Sequence, residues 1–520
     1  MQNKITAKAT KNLLSSSKEL AFVDIREIGQ HSKGHPFFSV SIPFSVFEIK
    51  IQELIPNKNI DIILFDENDD LSEKAYEIAM SMGYKKIFIL EDGVHGWTDE
   101  GYELFDGINV PSKAFGEWVE IKKQTPHIKP YLLSKKIQKK QNIIIVDGRP
   151  LEEFKRMNIP NAICCPNMEI PLNISEFIDK KTEIIINCAG RTRSIIGAQN
   201  LINYGIKNSV KALENGTQGW FLANLELEKN QTRQFKDQKV FKKNETISNK
   251  ASQLIKKYGL KKVSLKQINI FFSDKTRTTY IFDITTHSKN SRCNDLNIKN
   301  VPGGQLIQAT DNFIGVQNSR IILVDEGDLI RSTMTASWLK QMGYEVYVFE
   351  DDLDYINYFF EKKSKFVIPK HQIISISEIK SYLSFNILDT RNSHDYKKLH
   401  FKRSKWISRK NLRFTNFREK RNFLIIFDDL NKAELISKDI SSKYNGEIFF
   451  YEFKENEVIQ FSDFLTKSSS SPKKSECIDF VYHTYKRHSG NKNHAKSYLK
   501  WEKELLQRMD EQEKRKFKVF

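Results

Sequence analysis

The chain runs to 520 residues, 39% hydrophobic and 28% charged, with 83 Lys and Arg outweighing 65 Asp and Glu for a formal charge of +18. That length excludes a single domain and predicts about three to five at roughly 100 to 200 residues each, while apolar runs such as Ile143-Ile144-Ile145-Val146 exclude a wholly disordered chain. No stretch of roughly 18 apolar residues occurs, and Met1 to Leu20 is polar, so neither a membrane span nor a signal peptide is expected.

In chain order, Phe22-Val23-Asp24-Ile25-Arg26-Glu27 reads as a strand breaking into a charged turn, and Ile62-Ile63-Leu64-Phe65-Asp66 as a second strand. A helix over Ala75 to Tyr84 follows, then a strand over Lys86 to Leu90 that runs into Glu91-Asp92-Gly93-Val94-His95-Gly96-Trp97. The same order returns in Ile144 to Arg149, in Ile184-Ile185-Ile186-Asn187-Cys188, in a helix through Ala198 to Tyr204, and in Leu213 to Trp220. The two closing segments share Leu-Glu-x-Gly-x-x-Gly-Trp. A third copy runs through Tyr280 to Ile284, Ile321 to Asp325 and Gln341 to Glu350 without the Gly-Trp ending. A fainter fourth has Asn386 to Arg391, Leu424 to Asp428 and Ile448 to Tyr451.

Repeats of domain length are domains in series rather than solenoid units of roughly 20 to 50 residues. Alternating strands and helices predict α/β folding, each domain a mainly parallel, doubly wound sheet with helices on both faces. The expected domains are 1–118, 125–232, 253–362 and 370–466, with a helical tail over 475–520. Linkers are expected over Val119 to Pro130, Asn224 to Ser252 and Lys467 to Lys474.

Chemistry concentrates in Asn187-Cys188-Ala189-Gly190-Arg191-Thr192-Arg193-Ser194. An apolar strand delivers Cys188 into a short loop, and a helix is expected from about Ser194. Ligands bind at this end of strands in open α/β sheets. Backbone N–H groups, a helix N-terminus and the neighbouring Arg191 and Arg193 would stabilise a thiolate, a persulfide or a docked oxyanion. Burial as an inert strand-end cysteine is the bland alternative.

Asp147-x-Arg149 with Glu153-Phe154, Ile159-Pro160-Asn161-Ala162, the Cys188 loop and Asn215-Gly216-Thr217-Gln218-Gly219-Trp220 together resemble the rhodanese, or thiosulfate sulfurtransferase, family across a whole domain. The resemblance implies a Cys188 persulfide. The cysteine takes a sulfane sulfur from thiosulfate or a related small anionic donor and passes it to a thiophilic acceptor: cyanide, a thiol or a protein cysteine. The persulfide cradle would be Ala189, Gly190, Arg191, Thr192 and Arg193. No metal or organic cofactor is implied. The loop departs from the best-known thiosulfate and mercaptopyruvate enzymes, whose glycine stands one position after Gly190 and which usually carry threonine where Arg193 stands. Cysteine-loop phosphatases need an arginine six positions after the cysteine, and Ser194 stands there. The competing class is a non-catalytic sulfur carrier or scaffold that binds partner proteins.

At the matching strand ends stand Asp66, Asp325 and Asp428, none of them a sulfur nucleophile, so the first, third and fourth domains are expected to be inactive, their carboxylates held by the loop amides. Arg149 has two readings: a substrate contact, or an ion pair with Asp147 that fixes the turn. Cys164 and Cys165 could relay a persulfide, form a disulfide with Cys188 or simply pack. The five cysteines Cys164, Cys165, Cys188, Cys293 and Cys477 form no regular framework, which suits a reducing, cytoplasmic setting. Cys477 with His483, His488 and His494 matches no zinc spacing. The tail carries Phe480, Tyr482, Tyr485, Tyr498, Trp501, Leu505, Leu506 and Met509, resembles tails on some multi-rhodanese sulfurtransferases, and is expected to dock on a rhodanese domain. The basic charge suits an anionic partner. Nucleic acid is not expected, because Lys, Asn, Ile and Phe are all abundant, as in A/T-rich coding, and no basic helix or RNA-binding pattern is present.

Overall fold

The computed structural model describes residues 3–174, 178–235, 245–286, 298–351, 372–412, 415, 417, 422–468, 477–482 and 491–518. Cys293, His483, Tyr485, His488 and most of the serine-containing linker before Lys474 lie outside them. The chain divides into two compact units, one of residues 1–12, 21–108 and 364–482, the other of 13–20, 109–363 and 483–520.

The second unit holds Cys188. Strands β1 (His127–Ile128), β2 (Ile143–Asp147), β3 (Ile163–Cys164), β4 (Glu183–Asn187) and β5 (Val210–Leu213) form one parallel sheet in the order β1-β5-β4-β2-β3. Ile184, Ile185 and Ile186 are all fully buried, as a central strand covered on both faces requires. Ile184 and Ile186 pack with Ala198 and Leu201 on one face, Ile185 with Phe154 and Trp220 on the other. Strand order reverses between β2 and β4, so the crevice beyond their carboxyl ends is the topological switch point. Asp147 pairs in register with Asn187 there, one residue before Cys188.

Five helices frame this end: α1 (Val110–Lys123), α2 (Leu151–Arg156), α3 (Thr192–Tyr204), α4 (Gly216–Leu222) and, from the tail, α5 (Lys492–Arg508). Helix α3 starts two residues before the expected Ser194, since Ile195 N–H already donates to the Arg191 carbonyl. Helix α5 packs on α1 and α4 and buries Tyr498 and Leu505, with Met509 buried just past its end.

The third repeat, in the same unit, forms a sheet of identical order from Lys261–Val263, Glu345–Phe349, Arg320–Val324, Thr279–Asp283 and Ile298–Asn300. In the other unit the first repeat does the same with Lys4–Ile5, Lys86–Leu90, Asp61–Phe65, Leu20–Asp24 and Val40–Ser41. The fourth sheet has four strands, Ile448–Glu452, Phe423–Phe427, Asn386–Asp389 and Lys405–Trp406. A single bridge from Ile373 to Phe450 stands where the other sheets have an edge strand. Parallel sheets flanked by helices, followed by a helical tail, bear out the α/β reading. Among the described residues no helix is long and apolar enough to cross a membrane.

Candidate active site

Cys188 leaves β4 and is 2% exposed. Its carbonyl accepts from Thr217 N–H (2.9 Å) and that of Ala189 from Gln218 N–H (3.1 Å), so the start of α4 holds the loop's acceptors. Because each peptide is planar and trans, the Ala189 and Gly190 N–H groups point the opposite way. Among the described residues no hydrogen bond occupies the amides from Ala189 to Ser194. They and the start of α3 form a nest suited to negative charge. Ser194 Oγ donates to Cys188 Sγ at 3.0 Å.

The shared closing motif has a steric cause. Gly216 has φ +54°, and a Cβ there would lie 2.3 Å from the Cys188 carbonyl oxygen. Gly93 likewise has φ +54° and would meet the Asp66 carbonyl at 2.4 Å. Only glycine lets this helix start approach the loop so closely. The tryptophan then closes the far side, Trp220 Nε1 donating to the Glu226 carbonyl and Trp97 Nε1 to that of Glu103.

Where aspartate replaces cysteine, two of the nests are already filled. Asp66 accepts from the Asn68 and Ser72 amides, both at 2.8 Å. Asp325 accepts from Gly327, Leu329 and Ser332 at 2.9, 3.3 and 3.0 Å. Asp428 corrects the expectation of a third filled nest. It is exposed, and the helix Leu430–Ser441 follows so soon that Asp429 caps it, accepting from Asn431 and Lys432. The loop is too short to wrap around the Asp428 carboxylate.

The two arginines are paired, not open. Arg191 Nε donates to Glu117 at 2.7 Å, and its other nitrogens reach Glu117, Glu120 and Asn215. Arg193 binds Glu153 at 2.7 and 2.8 Å. Although burial opposes ionisation, the Arg193 guanidinium holds Glu153 down to about 2. Burial outweighs Arg191 at Glu117 and pushes that carboxyl up to about 7. Thr192 Oγ1 donates to Glu502 of α5 at 2.7 Å. The net basic loop expected from Arg191 and Arg193 is therefore corrected to a locally balanced one. Sequence reasoning missed Glu117, Glu120 and Glu502. A signal existed only for Glu502, which falls four residues after Tyr498 and three before Leu505, on the apolar stripe of the tail.

Arg149 takes the second of its two readings. It is 2% exposed, bound through Nε and an Nη to Asp147 (2.8 and 2.7 Å) and through that Nη to the Met157 carbonyl. Arg26 with Asp24 and Gly34, and Arg391 with Asp389 and Leu399, repeat the arrangement in domains without the cysteine, so this pairing fixes the turn whether or not the cysteine is present. Cys164 donates to the Arg149 carbonyl (3.4 Å), and burial pushes its thiol up to about 12. Burial raises Cys165 as well, and neither is in a disulfide.

A parallel α/β sheet that delivers a thiol into a nest of unoccupied amides at its switch point defines a rhodanese-like domain. The family model for the rhodanese-like domain matches residues 6–100 and 130–223, the second stretch containing Cys188. The chain is similar along its whole length to a thiosulfate sulfurtransferase from Pseudomonas aeruginosa, with a TM-score of 0.85 and 29% identity, covering 100% of this chain and 99% of that one. Shorter relatives include YrkF of Bacillus subtilis (strain 168), by its name a candidate sulfur carrier protein, at 31% identity over 94 residues, 18% of this chain and 50% of that protein. A sulfurtransferase of Allochromatium vinosum is 25% identical over 104 residues, 20% of this chain and 95% of that protein. The chain thus spans half of YrkF and nearly all of the other two. Residues 6–100 and 130–223 are rhodanese-like domains, set in a chain that resembles a thiosulfate sulfurtransferase from end to end.

Proposed function

We propose that the chain is a sulfurtransferase whose second domain carries sulfur as a Cys188 persulfide, taken from thiosulfate or a related donor and passed to cyanide, a thiol or a protein cysteine. The observation that carries this is the contrast between loops: in the first and third domains a built-in carboxylate occupies the amide nest, whereas in the second the amides of Ala189 to Ser194 follow a thiol, carry no hydrogen bond among the described residues and are free to hold the charge of a persulfide. Covalent catalysis of this kind needs only a nucleophile and a stabilised leaving charge. Ala189, Gly190, Arg191, Thr192 and Arg193 form the cradle. Its amides make the contacts, and the paired arginines brace it.

Intact-protein mass and cyanide-dependent thiocyanate release, after incubation with thiosulfate or an alkyl persulfide, test the reading. The native chain should gain one sulfur atom and turn over, and Cys188→Ser should do neither. Sulfur gain without turnover would favour a carrier, and no gain from any donor would refute the proposal.

A further inference from the structure

Helix α5 buries Ala495, Tyr498, Leu499, Glu502 and Leu505 against the domain. This is an apolar stripe at helical spacing with one acid in it. Glu502 is 0% exposed. A buried carboxylate is costly unless fully partnered, and an apolar side chain would fill the position without that cost. Glu502 is only half partnered. Its Oε1 accepts from Thr192 Oγ1 and lies 3.6 Å from Lys113 Nζ, while Oε2 has no hydrogen bond.

That free oxygen faces the cysteine loop. It lies 3.4 Å from where a Cβ on Gly190 would stand, as does Gln218 Nε2, with the Tyr498 ring at 3.5 Å. Gln218 is 2% exposed, and both polar atoms of its amide are without a hydrogen bond. A carboxylate oxygen and a primary amide thus converge, with hydrogen-bonding capacity unused, two residues from Cys188. Among the described residues that pair around the loop, three cations, Arg191, Arg193 and Lys113, face four carboxyl groups, Glu117, Glu120, Glu153 and Glu502. The side-chain charges around the loop therefore add nothing to the amide nest in favour of a dianionic donor.

We propose that Glu502, with Gln218, selects the sulfur donor: a small alkyl persulfide carrying an ammonium group, preferred over dianionic thiosulfate. This rests on the sulfur-transfer reading above and narrows its donor. The ammonium donates to Glu502 Oε2, the Gln218 amide makes a second polar contact, and the Cys188 thiolate attacks the outer sulfur of R–S–SH. A bond forms between Sγ and that sulfur. The bond between the donor's two sulfurs breaks, its electron pair leaves on R–S⁻, and the proton stays on the transferred sulfur. Atoms and charge balance without an oxidant.

The test uses the full chain and its Glu502→Gln variant. Each is loaded with cysteamine persulfide, which bears an ammonium, 3-mercaptopropionate persulfide, which bears a carboxylate, or thiosulfate. Initial sulfur gain is followed by intact mass. The native chain should load from cysteamine persulfide about tenfold faster than from the carboxylate donor, as a charge-assisted hydrogen bond implies, and faster than from thiosulfate. Glu502→Gln should bring the two persulfide rates close to equal. A general loss of folding or reactivity would lower both rates and leave their ratio, so the ratio reports selection alone. Equal rates in the native chain, thiosulfate as its fastest donor, or a ratio unchanged in Glu502→Gln would each overturn the assignment. If the native chain loads from none of the three, the sulfur-transfer reading itself fails. Loading without discrimination overturns only the donor class.

Discussion

Arg193 and Glu153 show how a side chain read as a source of positive charge becomes a structural member. The pair is made at 2.7 Å with Arg193 10% exposed, and it ties α2 to the first turn of α3. Its acid sensitivity follows by linkage. Glu153 is lowered from 4.5 to about 2 in the folded chain, so its contribution is complete above about pH 4.5 and is lost as pH falls through the folded value. Glu153→Gln should therefore be less stable than the native chain at about pH 6. The gap, read by denaturant melts, should narrow between about pH 4.5 and pH 2. A gap constant with pH would mean that the pair contributes by packing alone. Arg149 makes the same point without titration. Its twins Arg26 and Arg391 hold the same turn beside Asp66 and Asp428 strand ends, so its presence in a domain says nothing about chemistry.

At the scale of elements, the cysteine loop depends on helix α4. Thr217 and Gln218 hold the carbonyls of Cys188 and Ala189, and Gly216 allows that approach. Gly216→Ala forces a Cβ to within 2.3 Å of the Cys188 carbonyl on a left-handed backbone that itself costs about 1–2 kcal/mol. The loop must shift, so sulfur loading at Cys188 should fall at least in proportion to the lost stability. Gly93→Ala makes the equivalent clash against the Asp66 loop. It should cost similar stability and leave sulfur loading at Cys188 intact. Equal loss of loading in both variants would show a global effect and not a local one. The order of strands, helices and glycines that builds this arrangement was legible in Leu-Glu-x-Gly-x-x-Gly-Trp, because each glycine answers a contact within its own repeat.

At the scale of the molecule, repeats far apart in sequence fold together. In the first unit Arg409, from the fourth repeat, pairs with Glu48 of the first, 361 residues away, and with Asp439, while stacking 4.9 Å over Phe44. Arg409 is 4% exposed, and its partners keep some solvent. Arg409→Ala should destabilise this unit by about 3 kcal/mol, toward the low end for breaking a buried pair, with hydrogen exchange rising in the strands of both repeats. A loss confined to the fourth sheet would mean that the pair does not couple them. In the second unit Arg331 meets Glu169 at 2.8 Å, and Trp338 Nε1 donates to Asn200 at 2.9 Å, which joins the second and third repeats. By itself the sequence determined what is local: apolar strand runs, a helix after each, glycines in the turns, and a thiol at one strand end. Tertiary structure alone decided which carboxylates neutralise Arg191, that α5 sets Glu502 against Gly190, and which repeats share a unit. Those contacts join residues tens to hundreds of positions apart. Backbone periodicity reaches only a few residues, so no local pattern records them.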